Sequence, residues 1–255
     1  GGQSLFALRV ALALVLWPCL AWLVLRWFKR RDPWLGWYLM HDYAFSASHG
    51  GAYPPAQEAR MRDFVDRIAE ALTEDVEEVL IVGHSSGAYM AVSLLADVIR
   101  ASRVPESGPK LALLTLGHVV PMVSFLPDAW QVREDLQFLS ERDEIVWVDV
   151  TAQGDGCCFA LCDPVGVSGV STREKQWPLV FSAQFSRTMA PERWTAQRRQ
   201  YFKLHFQYLC AFDRPIDFDY FRITAGPVRL ADRFAARSES PKLKGAPFIQ
   251  MRLRD

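Results

Sequence analysis

Residues 80–92 read LIVGHSSGAYMAV, and this stretch decides how the 255-residue chain folds. Entering it, 79–82 is a continuous run of apolar, mostly β-branched residues, which suits a strand covered on both faces in a parallel sheet. Leaving it, 88–99 is apolar nearly all round, which predicts a buried helix. Between the two, Gly83, Ser85 and Gly87 spell G-x-S-x-G. Three matching letters arise by chance in roughly one chain in ten of this length, so the context carries the weight. A strand-to-helix turn this tight needs small residues two positions either side of the serine, and it thrusts the serine oxygen out at the carboxyl edge of the sheet. Ser85 is therefore a candidate nucleophile. The bland alternative is a glycine-rich turn in a noncatalytic α/β protein.

Outward from the turn, strand and helix signals alternate. Downstream, 111–116 reads as a strand, 127–139 as an amphipathic helix and 145–151 (IVWVDVT) as a further strand. Upstream, Met61, Phe64, Val65, Ile68 and Leu72 recur at helical spacing, with Glu58, Arg62, Asp66 and Arg67 on the other side. Before that helix, the aromatic run GWYLMHDYAF (36–45) reads as a strand, closed by a small polar loop at 46–55. The alternation predicts a doubly wound, mostly parallel α/β sheet. Beyond Asp163 the pattern is less regular. Trp194, Tyr201, His205, Tyr208 and Leu209 share one face of a helix expected from about Pro191. The division expected is a membrane segment with a basic flank at 1–32, a domain at 33–235 and a polar tail at 236–255.

The GHSSG turn resembles the nucleophile elbow of the α/β-hydrolase superfamily, whose lipases and esterases often carry a histidine where His84 stands. The resemblance spans about 79–205 and is most specific at the elbow. It implies a serine hydrolase in which a general base takes the Ser85 proton and an acid orients that base, in chain order serine, acid, histidine. On that order His205 is the base, since His41, His49, His84 and His118 come too early or sit beside other elements. Its other possible role is a core histidine on an aromatic helix face. Asp149 falls inside a predicted strand, whereas Asp155 stands just past the strand's carboxyl end, where the superfamily places its acid. Asp155 is preferred; Asp163, followed by Pro164, is the alternative, and its other role is to start a turn.

The resemblance also implies that the backbone N–H of Ser86 helps bind the oxyanion. The second donor stays open. His49-Gly50-Gly51 resembles the HGG of esterases, but only one helix separates it from the elbow strand, where the family has helix, strand and helix. Residues 36–45 could instead be the family's fourth strand, with the oxyanion loop upstream. The plain reading of 46–55 is a flexible connector.

Residues 10–25 (VALALVLWPCLAWLVL) carry no charge, and 5–8 extend the apolar run past Arg9. About 20 apolar residues cross a bilayer, a length reached here if Arg9 snorkels. Trp17, Trp22 and Trp27 suit an interface, and Pro18 implies a kink. Arg26, Lys29, Arg30 and Arg31 follow at once, which puts the ensuing domain on the cytoplasmic side. A signal peptide would carry its basic residues before the apolar run; a hydrophobic hairpin against the domain is the other alternative. The chain opens on Gly1 and Gly2 rather than methionine, so the expectation includes a longer protein in which the family's earlier strands precede this segment.

The 29 basic and 29 acidic residues cancel, which gives no field to attract nucleic acid. Five cysteines, three of them at 157, 158 and 162, do not resemble a secreted disulfide framework. They lack paired C-x-x-C spacing and a neighbouring histidine, so buried structural thiols are expected rather than a metal site. The chemistry requires no cofactor. The expected function is hydrolysis of an apolar or lipid-like ester or thioester through an acyl-serine intermediate at a membrane. The alternative from another class is an inactive hydrolase-like membrane protein that binds or scaffolds.

Overall fold

The computed structural model describes residues 2–32 and 35–248. They form two compact units, one ending at Phe45 and the other beginning at Ser46.

The first unit opens with α1 (Gly2–Arg31), which runs through Pro18 and ends on Lys29, Arg30 and Arg31. It is 30 residues long, with a mean hydropathy of 2.2 over its most apolar window, and it is long and apolar enough to cross a membrane. Helix α2 (Gly36–Ser48) follows. The expected strand at 36–45 is thus a helix. The aromatic run has no period that decides between the two, and the cap decides it: the Asp32 carboxylate accepts from Trp37 N (3.0 Å) and Tyr38 N (3.2 Å), satisfying donors at the helix start. No strand precedes the elbow strand among the described residues, so the proposed match of 36–45 to the family's fourth strand falls away.

In the second unit α3 (Pro55–Ala71) leads into β1 (Glu78–His84), α4 (Gly87–Arg100) and β2 (Lys110–Leu116). Then come α5 (Val120–Ser124), α6 (Trp130–Ser140), β3 (Ile145–Thr151), α7 (Pro164–Val167) and β4 (Leu179–Ser182). Five short helices follow: α8 (Phe185–Thr188), α9 (Pro191–Gln197), α10 (Tyr201–His205), α11 (Tyr220–Thr224) and α12 (Leu230–Phe234). The four strands are all parallel, in the order β1-β2-β3-β4.

Alternation along each strand feeds two cores. Leu111, Leu113, Ile145 and Trp147 face α3, α4 and α6, while Leu114, Leu116, Val148, Val150 and Phe181 face Leu204, Tyr208, Phe218 and Leu230. Strand β1 divides its side chains the same way but is only half-buried, because it forms one edge of the sheet. Helix α3 buries Met61, Val65, Ile68 and Leu72 as expected. Phe64 instead stays 44% exposed, where the Arg60 guanidinium covers its ring.

The expected long helix from Pro191 breaks after Gln197 and resumes at Tyr201. The polar segment after Arg237 lies along the unit by backbone bonds, from Ser240 N to Val180 O (3.0 Å), Lys244 N to Leu161 O (2.8 Å) and Phe248 N to Val167 O (3.1 Å).

Candidate active site

The turn after β1 has the strain its sequence implies. Ser85 sits at φ +58°, a left-handed conformation that a residue with a β-carbon adopts at a cost. A β-carbon on Gly83 would stand 2.8 Å from Gly87 O and 2.9 Å from Ala88 Cα, so glycine there lets α4 close onto the strand. Gly87 meets nothing within 4 Å and is not needed for that packing. Ser86 is the N-cap of α4, and its N–H is one of the donors at a helix start that no helical carbonyl takes.

Ser85 N donates to Leu116 O (3.0 Å), which ties the elbow to the end of β2. The next residue, Gly117, has φ +52°; a β-carbon there would lie 2.7 Å from the Tyr208 ring, 3.2 Å from Asp155 Oδ2 and 3.3 Å from His205 Cε1. Asp155 and His205 therefore meet beside the elbow, at the carboxyl edge of the sheet. His205 Nδ1 donates to Asp155 Oδ2 (2.8 Å), and both residues are buried. That bond leaves Nε2 as the lone-pair nitrogen. Strand β4, too short at four residues to stand out in the sequence, precedes His205. The histidine thus follows the last strand of the sheet among the described residues, and it closes helix α10 rather than standing in a loop.

Three further groups hold this pair. Tyr208 Oη donates to Asp155 Oδ2 (3.1 Å), and Cys157 N donates to Asp155 Oδ1 (2.9 Å). Burial holds the Tyr208 phenol well above its ordinary range, so it remains a donor. His84 Nε2 donates to His205 O (2.8 Å), with the two rings 4.6 Å apart. Burial, opposed by the bond to the His205 carbonyl, holds the His84 imidazole below its ordinary range. Around the acid, Gly154 and Gly156 lie against the rings of Trp194 and Tyr201, which a β-carbon would strike at 2.7 and 2.9 Å. The break between α9 and α10 thus lets one aromatic from each helix clasp the Asp155 loop. Among the described residues no hydrogen bond joins the Ser85 hydroxyl to His205; such contacts commonly tighten only when substrate binds.

The other carboxylates are elsewhere. Asp163 caps α7, accepting from Val165 N (3.0 Å), and pairs with Lys175 (3.2 Å). That is the turn-starting role. Asp149 lies inside β3, where Thr115 Oγ1 donates to its Oδ1 (2.6 Å) while Trp147 Nε1 donates to Thr115 Oγ1 (2.9 Å). His118 Nε2 stands 3.7 Å from Asp149 Oδ2, and it makes its own bond to Cys162 O (3.0 Å).

Burial pushes Asp149 up to about 6 against the attraction of His118 and the Thr115 bond. Its ordinary unfolded value is about 3.9, so the native state holds the proton more tightly. The stability this provides is full below about pH 4 and lost as the pH rises through about 6, on the order of 3 kcal/mol. Urea midpoints between pH 4 and 7 should fall across that window, and Asp149→Asn should flatten this component. Asp135, likewise pushed to about 6 by burial, gives a slope of the same sign that the variant leaves in place. A pH profile identical in wild type and Asp149→Asn would count against this account.

The His49-Gly50-Gly51 loop is not free to supply oxyanion donors. Gly50 N donates to Ala47 O (3.0 Å) and Gly51 N to Ser46 O (2.9 Å), closing the end of α2. Gly50 O in turn takes Asp128 N (2.8 Å), so the loop is pinned rather than a slack connector. A cavity of about 320 Å³ lined by Ile99, Pro105, Leu111 and Glu144 opens at the amino ends of β2 and β3, the end of the sheet away from Asp155 and His205.

A strained serine turn, with an imidazole–carboxylate pair beside it at the carboxyl edge of a parallel sheet, defines a protein of the α/β-hydrolase class. The model of the Alpha/beta hydrolase family matches residues 14–248, and the chain belongs to that family, which supports a hydrolase-like function. Comparison with curated proteins and with solved structures finds no significant match.

Proposed function

We propose that the protein is a membrane-tethered serine hydrolase that cleaves an apolar or lipid-like ester or thioester. Ser85 is the nucleophile, His205 the general base, Asp155 the residue that orients the base, and Ser86 N–H an oxyanion donor. The observation that carries this reading is the His205 Nδ1 to Asp155 Oδ2 bond beside the left-handed Ser85. It fixes the imidazole tautomer whose Nε2 can take the serine proton. The acyl group then passes to Ser85 with loss of the alcohol or thiol, and water, activated by the same imidazole, releases the acid. Helix α1 would hold the enzyme at the bilayer, with the basic residues at its end favouring a cytoplasmic second unit.

A fluorophosphonate probe applied to the full chain in membranes should label Ser85 covalently. The missing Ser85–His205 hydrogen bond favours the second reading, an inactive family member that binds rather than cleaves, and folded protein that resists the probe would establish it. A panel of acyl esters, thioesters and amides then ranks substrates, and protease protection in sealed vesicles reports which side the second unit occupies.

Tyr208 is a positioning residue in this scheme, since it reaches the reaction through Asp155. Tyr208→Phe is expected to lower kcat about tenfold, the equivalent of about 1.4 kcal/mol, with KM unchanged. A KM effect with normal kcat would contradict that role.

A further inference from the structure

Cys157 has no side-chain role in the reading above, yet it stands among the groups that do. A carboxylate oxygen of Asp155, the Cys157 Sγ and a ring nitrogen of His205 all lie within 4.8 Å of one another. Along the sequence the cysteines at 157, 158 and 162 have no histidine near them; the fold brings one from beyond β4. Zinc bonds of about 2.0–2.3 Å to sulfur, nitrogen and oxygen put tetrahedral ligands roughly 3.5 Å apart, so modest side-chain rotations close the set around one ion. Asp155 and His205 are buried whereas Cys157 is half-buried, so the thiol gives the cluster its solvent-facing side.

We propose that Asp155, Cys157 and His205 form a site for a thiophilic divalent cation, Zn²⁺ in the first instance, which silences the hydrolase by capturing its base. Binding releases the Cys157 proton to solvent and leaves a thiolate on the ion, while His205 coordinates through a ring lone pair. Bound through Nε2, the ion occupies the lone pair that would take the Ser85 proton; bound through Nδ1, it displaces the proton given to Asp155, which moves to Nε2 and fills the same lone pair. Either way the base is lost. Three protein ligands leave the fourth position to water. A sulfur ligand selects against Mg²⁺ and Ca²⁺, which take oxygen. Burial and then the Asp155 charge push the thiol up to about 11, so without the ion it stays protonated and is a poor rival to Ser85.

The silencing rests on the serine-hydrolase reading; the site itself does not, and the experiment separates them. Co²⁺ added to the full chain in detergent should produce a thiolate-to-cobalt charge-transfer band at one equivalent in the wild type, in Ser85→Ala and in Cys158→Ser. Cys157→Ser should lose it while keeping the wild-type circular dichroism. A band that survives Cys157→Ser, or no band in the wild type, overturns the site. Separately, Zn²⁺ but not Mg²⁺ should slow fluorophosphonate labelling, each protein being compared with its own metal-free rate. Cys157→Ser should raise the half-inhibiting zinc concentration at least tenfold. An equal zinc response in both proteins overturns the silencing, and failure of all labelling beside an intact cobalt band strikes the hydrolase reading alone.

Discussion

Ser85→Ala should abolish fluorophosphonate labelling and lower ester turnover by roughly 10⁶-fold, with the native fold retained. The magnitude follows from the division of labour in the proposal: without the hydroxyl, His205 has no proton to take and no acyl intermediate can form, leaving only binding and the Ser86 N–H. The fold should not suffer, because alanine keeps the β-carbon and the same left-handed strain at φ +58°. Ser85→Gly makes the comparison sharper. It removes the strain as well as the hydroxyl, and should gain up to about 1 kcal/mol in urea unfolding while being equally inactive. Residual turnover above a hundredth of wild type in Ser85→Ala, from protein freed of contaminating esterase, would place the chemistry on another residue.

The parts legible in the sequence were those encoded locally. The elbow is written in seven residues, from Val82 to Ala88, and a tight turn between a β-branched run and an apolar helix has few alternatives. That Asp155 stands just past the end of β3 was legible because that strand is strongly patterned; its role as the acid rests on the family resemblance. The remainder was decided by distant contacts. Strand β4 is the four residues LVFS, too few to show a period. The aromatics of α2 fit a strand as well as a helix until Asp32 supplies the cap. Tyr208 is one turn beyond His205, but nothing in the sequence says that its hydroxyl reaches Asp155. Cys157 looked structural because its histidine lies on another element. The segment beyond Arg237 reads as a polar tail because backbone bonds hold it, and backbone bonds leave no mark on side-chain composition.

Asp155→Asn and Asp163→Asn test which carboxylate orients His205, and they should behave in opposite ways. At 155 the carboxylate receives three donors: His205 Nδ1 and Tyr208 Oη on Oδ2, and Cys157 N on Oδ1. An asparagine has one acceptor oxygen. If that oxygen keeps Cys157 N, the amide NH₂ faces His205 and Tyr208, and the imidazole must turn its lone pair to Nδ1, the wrong tautomer for taking the Ser85 proton. If the amide flips, Cys157 N loses its acceptor. That flip leaves a buried donor unmatched at about 1–3 kcal/mol, so the first orientation is favoured and turnover should fall by roughly 10⁴-fold. At 163 asparagine caps a helix as well as aspartate does, so Val165 N keeps its partner and only the Lys175 pair is weakened. Its kcat should stay within about threefold of wild type, a change under 1 kcal/mol. Kinetics of the two variants on one ester decide the matter: a crippled Asp163→Asn beside a working Asp155→Asn would transfer the acid's role to Asp163, and the His205–Asp155 contact would then be packing rather than catalysis.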